Sequence, residues 1–154
     1  MKESPVSRIL KYALYAVFAV GIALTVTLPF MLDTYTVIVQ DVYYMRTGYR
    51  TFILAFLMAV AVPGLWAVLE MIWLMRSIPS PEGPFTARNV RGLKRVGFIF
   101  LGLAAAFMYK CLMYITILTL FCGFLFIGGG LFAFTLAGLI RQAVVFREEN
   151  DLTI

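Results

Sequence analysis

Residues 76–95 read RSIPSPEGPFTARNVRGLKR. This stretch is the longest polar interruption in a chain built from long apolar runs. It carries five of the thirteen Lys and Arg residues and a single acid, Glu82. Apolar sequence lies on both sides, so the stretch divides the chain into two hydrophobic halves. Pro79, Pro81, Gly83 and Pro84 mark its first part as a turn. Thr86 is placed to cap a following helix, with Asn89 as its partner in the third helical position. At about 100° per residue, Val90, Leu93 and Val96 fall on one flank of that helix. Arg88, Arg91, Lys94 and Arg95 cover the opposite flank. Segment 86–95 therefore reads as a basic amphipathic helix lying on an anionic leaflet before the chain turns into a membrane.

The flanking sequence sets the class. Only 14% of the 154 residues are charged, and 62% are hydrophobic. Soluble domains carry roughly 25% charged residues. Mean hydropathy is +0.93, and apolar runs of about twenty residues recur. The fold class is all-α integral membrane: one domain with four transmembrane helices in two hairpins. The expected spans are 12–32, 51–75, 93–110 and 119–140. The first begins after a short basic leader and runs without charge from Tyr12 to Leu32. That run exceeds the h-region of a signal peptide, and no small-x-small cleavage site follows. Ala16, Ala19 and Ala23 give it one face suited to close helix contact. In the second span, Ala55, Ala59, Pro63 and Ala67 form a stripe at four-residue spacing, and Pro63 is expected to kink it. The third and fourth spans carry Gly102 and Ala106, then Gly129, Ala133 and Ala137, with a turn near 112–118. Lys110 is the one charge between Val96 and Ile140, and is expected to reach outward from the end of its span.

Charge orients the array. With four spans, the N-terminus, residues 76–95 and the C-terminal tail share one side. That side holds ten of the thirteen bases. Arg46, Arg50 and Lys110 lie on the other. The positive-inside rule places both termini in the cytoplasm and the chain in a bacterial cytoplasmic membrane as a multi-pass protein. The outer loop, 33–50, carries Tyr35, Tyr43, Tyr44 and Tyr49, which serve either as an interfacial aromatic belt or as a recognition surface.

Two features stand against the apolar background. Glu70 is an acid inside the second run, six residues before Arg76. An intramembrane carboxylate marks either an ion path or a structural charge that snorkels to the interface or pairs with a base such as Arg141. The last helix is expected to continue into water through Arg147, Glu148, Glu149 and Asp151. Acids at a helix C-terminus oppose the macrodipole. The bases of 86–95 or a partner protein would offset that.

Catalytic chemistry finds no support. The chain has no His, the commonest general base and metal ligand. Its two cysteines, Cys111 and Cys122, form no CxxC pair. They read as buried free thiols, with a disulfide near the outer surface as the alternative. No P-loop, GxSxG or paired-carboxylate motif occurs, and Gly128-Gly129-Gly130 lies in an apolar span without a phosphate-binding context. No cofactor, no metal and no direct nucleic-acid contact is expected.

Two stretches carry a family resemblance. Gly83-Pro84-Phe85-Thr86, Asn89-Val90, Leu93-Lys94-Arg95 and Gly97 form the first. Arg141-Gln142-Ala143, followed by Arg147-Glu148-Glu149-Asn150-Asp151-Leu152-Thr153-Ile154, form the second. Together they resemble a family of short four-span bacterial membrane proteins of unknown function. Arg88 departs from the acid common in that family before the Asn. Members are often encoded beside a small Cro/C1-type helix-turn-helix regulator, which implies membrane-coupled transcriptional control.

The expected function is a non-enzymatic regulatory membrane protein. It would bind or sequester a small cytosolic transcriptional regulator through the 86–95 helix and the 147–154 tail. Two alternatives stand beside it. One is a small oligomeric transporter or channel with Glu70 as its intramembrane acid. The other is an accessory or immunity-type subunit of a membrane complex. The bilayer itself and further copies of the chain complete the expected partners.

Overall fold

A computed structural model of the protein describes residues 5–39, 49–79, 83–113 and 117–151. They form four helices: α1 (Pro5–Val39), α2 (Tyr49–Ser77), α3 (Ala87–Met113) and α4 (Ile117–Asp151). All four contain stretches long and apolar enough to cross a membrane: Val6–Leu32, Thr51–Ser77, Ala87–Met113 and Ile117–Arg147. The protein is thus an all-helical, multi-pass membrane protein. The helices outrun the expected spans. At 1.5 Å per residue, the 35 residues of α1 and of α4 are each about 52 Å long. A hydrocarbon core is about 30 Å thick, so both helices extend well beyond it.

The array is open. α1 packs on α2, α2 on α3, and α3 on α4, and among the described residues no other pair of helices brings its backbones close together. Neighbours run antiparallel. Tyr15, early in α1, meets Arg76 at the end of α2. Glu70, late in α2, meets Arg95, early in α3. Lys110, late in α3, donates to Thr119, early in α4. One end of the array therefore gathers Arg8, Lys11, Arg76, Arg88, Arg91, Lys94, Arg95, Arg141 and Arg147. Most large side chains elsewhere face outward, among them Phe30 at 74% exposure and Ile117 at 88%. In a lipid solvent that is the favourable arrangement, because helix association there depends on close packing and not on burial from water.

The packing faces differ from those the small residues suggest. On α1, Ala16, Ala19 and Ala23 are exposed. The covered face is Leu14, Phe18, Gly21, Thr25, Leu28 and Leu32, stepping in fours and threes as in a coiled-coil seam. Gly21 makes the close approach: a Cβ there would lie 2.8 Å from Leu65 Cδ2. On α2, Ala67 is buried while Ala55 and Ala59 are exposed. A four-residue repeat drifts about 40° per step on a 3.6-residue helix, so the stripe rotates off the contact. α2 continues through Pro63 as one helix.

The core lies between α3 and α4. Val90, Leu93 and Val96 pack with Ala133 and Ala137, and Met71 and Leu74 of α2 lie against them. Gly97 is buried, and a Cβ on Gly130 would lie 3.2 Å from the Gly97 carbonyl. Gly102 instead faces open space. Segment 86–95 is thus no separate helix on the leaflet. Its apolar flank is the start of the α3–α4 core, and it is continuous with the third span.

Candidate functional site

The turn between α2 and α3 builds the site. Gly83 adopts φ +70°, a left-handed conformation open to glycine. Thr86 then caps α3: its Oγ1 accepts from the Asn89 backbone N–H at 3.3 Å. The Val90 N–H donates to the Thr86 carbonyl at 3.2 Å. Asn89 does more than the capping expected of it. Only 5% exposed, it donates its side-chain N–H groups to Ser77 Oγ at 2.6 Å and to the Pro84 carbonyl at 2.8 Å. Ser77 in turn donates to the Leu74 carbonyl. The chain of bonds runs from the end of α2, through the turn, to the start of α3. It sets the two helices in register.

That register brings Glu70 to Arg95. Arg95 Nη1 donates to Glu70 Oε1 at 3.0 Å, with side-chain exposures of 59% for the arginine and 5% for the glutamate. Arg95, not Arg141, is therefore the partner of the intramembrane acid. The reason is topological: among the described residues the backbone of α2 lies beside α3 and not beside α4, which carries Arg141. The buried end of this pair carries its energetics. A buried carboxylate without a partner costs several kcal/mol, whereas the exposed guanidinium keeps its water.

Above the pair lies a pocket of about 270 Å³, lined by Glu70, Trp73, Arg88, Arg91, Gly92 and Arg95. Arg88, Arg91 and Arg95 follow one another at three- and four-residue spacing and share one side of α3. The Arg88 guanidinium stands over Trp73, 5.8 Å from the ring centroid, within cation–π range. Gly92 admits the carboxylate, since a Cβ there would come 3.2 Å from Glu70 Oε2. Lys94 does not line the pocket. Trp73, Gly92 and Ser77 are the residues that sequence reasoning missed. The available signal was their spacing: Glu70, Trp73 and Ser77 share a face of α2 at three- and four-residue steps, directly before the turn.

The tail stands apart from this pocket. Arg141 and Glu149 line a shallow groove on α4 with Gly138, Gln142, Val145 and Phe146. Arg147 is exposed on the same helix. The side chains of Glu148 and Asp151, and residues 152–154, lie outside the described residues, as does most of the tyrosine-bearing loop. At the other end of the array, Lys110 Nζ sits 5.1 Å from the Phe56 ring centroid and donates to Thr119 Oγ1 at 3.3 Å. It turns inward between helices. Cys111 and Cys122 are free thiols. Among the described residues no group of three metal-ligating side chains occurs.

No curated protein and no solved structure matches the chain. The family model described as a protein of unknown function, DUF2975, matches residues 38–154. The match takes in α2, α3, α4 and the arginine pocket between α2 and α3, and leaves nearly all of α1 outside. This membrane-spanning chain belongs to the DUF2975 family.

Proposed function

We propose that this chain is a non-enzymatic regulatory protein of the bacterial cytoplasmic membrane, whose arginine end binds a small helix-turn-helix regulator in the cytoplasm. The observation that carries the reading is the convergence of Arg88, Arg91 and Arg95 on one pocket lined by a single carboxylate. Lys94, outside the pocket, extends the positive surface. Such a surface suits an acidic partner and speeds its encounter. The positive-inside count favours the cytoplasm for this end. The α4 extension, with Arg147 and Glu149 exposed beyond the last apolar turns, offers a second element of the same face. The resemblance of its ending to proteins encoded beside Cro/C1-type regulators supplies the partner class.

The test is to express the chain with the regulator encoded beside it, intact or cut after Phe146, and to separate membranes from cytosol. Regulator recovered with membranes from the intact chain and released by the truncation is the expected result. Equal recovery from both would refute docking through the tail. Equal recovery after Arg88→Glu with Arg91→Glu as well would refute the reading.

A further inference from the structure

The pocket between α2 and α3 carries more positive charge than its lining neutralises. Arg95 uses one N–H on Glu70, and a guanidinium has five. Arg91 donates Nε to the Ala87 carbonyl at a long 3.4 Å, which leaves both terminal amino groups. Arg88 presents its flat face to Trp73 and keeps its edge donors. Among the described residues no carboxylate pairs with Arg88 or Arg91. Three planar forks therefore stand around one space, held from below by a buried acid that fixes the third.

We propose that this pocket binds a phosphate group, seated between Arg88, Arg91 and Arg95. Guanidinium forks meet phosphate oxygens in parallel pairs of hydrogen bonds, a geometry that lysine lacks. Arg88 lies in the first turn of α3, where the helix dipole also favours an anion. At about 30 Å³ of liquid volume per water, the 270 Å³ pocket has room for a phosphate and several waters. Depth fits as well. The nineteen positions from Arg91 to Lys110 span about 28 Å, close to the hydrocarbon thickness of about 30 Å. With Lys110 near one boundary, Arg91 stands at the headgroup level of the other. The phosphate comes either from an anionic lipid headgroup or from a soluble phosphate. Glu70 sets the geometry: its bond to Arg95 holds that guanidinium at the floor, and the missing Cβ of Gly92 leaves the carboxylate its place.

The inference names a ligand for the arginines on which the proposed function also rests. Its test uses the purified full chain without the regulator, so the two succeed or fail separately. The chain in neutral detergent is titrated with inorganic phosphate and, separately, with phosphatidylglycerol, and bound mass is read by native mass spectrometry. A saturable adduct is expected, weakened about tenfold or more in the Arg88→Ala/Arg91→Ala double variant and unchanged in Lys94→Ala. The Arg88→Lys/Arg91→Lys variant keeps the charge, loses the forks, and is expected to bind more weakly than the native chain. It decides the matter if the alanine pair does not fold. An adduct with phosphatidylglycerol alone assigns the site to a headgroup. An adduct with inorganic phosphate, alone or as well, assigns it to the phosphate group itself. No saturable adduct with either probe, an equal loss in Lys94→Ala, or full binding by the lysine pair would overturn the proposal.

Discussion

Arg95→Ala and Glu70→Gln remove the same ion pair and should not cost the same. Glu70 has a side chain only 5% exposed, whereas that of Arg95 is 59% exposed. Removing the arginine strands a buried carboxylate, which costs about 3 kcal/mol, the low end for breaking a buried pair because water already reaches the arginine. Replacing the glutamate leaves an exposed guanidinium that water solvates, and the amide introduced in its place still offers Arg95 a carbonyl acceptor. That change costs about 1 kcal/mol, the difference between a charged and a neutral hydrogen bond. For a chain of this size 1 kcal/mol corresponds to about 2–4 °C. Arg95→Ala should therefore lower the melting temperature by about 6–12 °C and Glu70→Gln by about 2–4 °C. The half-buried thiols of Cys111 and Cys122 permit the assay, a thermal ramp in detergent with a thiol-reactive fluorophore. The double variant should melt near Glu70→Gln alone, because Arg95→Ala no longer strands a charge once the carboxylate is gone. Equal shifts for the two single variants, or a larger one for Glu70→Gln, would refute the assignment of the buried end.

Three further outcomes follow from the same geometry. Gly130→Ala meets the Gly97 carbonyl and the Leu101 side chain, both at 3.2 Å, while Gly128→Ala meets nothing within 4 Å. The first should destabilise by about 1–3 kcal/mol and the second stabilise by up to about 1 kcal/mol, read as opposite shifts in melting temperature. Asn89→Ala removes two part-buried hydrogen bonds made by a buried side chain and should cost about 2 kcal/mol, with faster amide exchange confined at first to the initial turns of α3. Because Cys111 and Cys122 are free, two maleimides per chain should couple in denaturing detergent without reductant. Labelling that appears only after reduction would contradict the structure.

The helices themselves were legible in the sequence, because a bilayer demands long apolar runs and the chain supplies four. The start of α3 was legible too, from Thr86 as cap and from Val90, Leu93 and Val96 as one flank. What that flank meets was not. A basic amphipathic segment next to a span reads equally well as a surface helix or as the first turns of the span. Only the Asn89 bonds to Ser77 and Pro84, together with packing on Ala133 and Ala137, decide for the second. Small residues were poor guides to contact faces: Ala16, Ala19 and Ala23 sit in the open, and Gly21 carries the contact. In lipid an exposed alanine costs nothing, so composition leaves the face undetermined. The first helix runs on to Val39 because Asp33–Val39 contains no Gly or Pro to end it. Glu70 was legible as an anomaly but not its partner, since Arg95 and Arg141 differ only in which helix lies beside α2.

The function proposed for the arginine end depends on which side of the membrane it occupies. The direct measurement starts from the chain with Cys111→Ser and Cys122→Ser. It places a single cysteine by Phe85→Cys in the turn before α3, or by Thr47→Cys between α1 and α2. Intact cells are then treated with a membrane-impermeant maleimide. The Thr47→Cys chain is expected to label in intact cells, and the Phe85→Cys chain only after the membrane is opened. The reverse pattern would put Arg88, Arg91 and Arg95 outside the cytoplasm and refute docking of a cytosolic regulator on them.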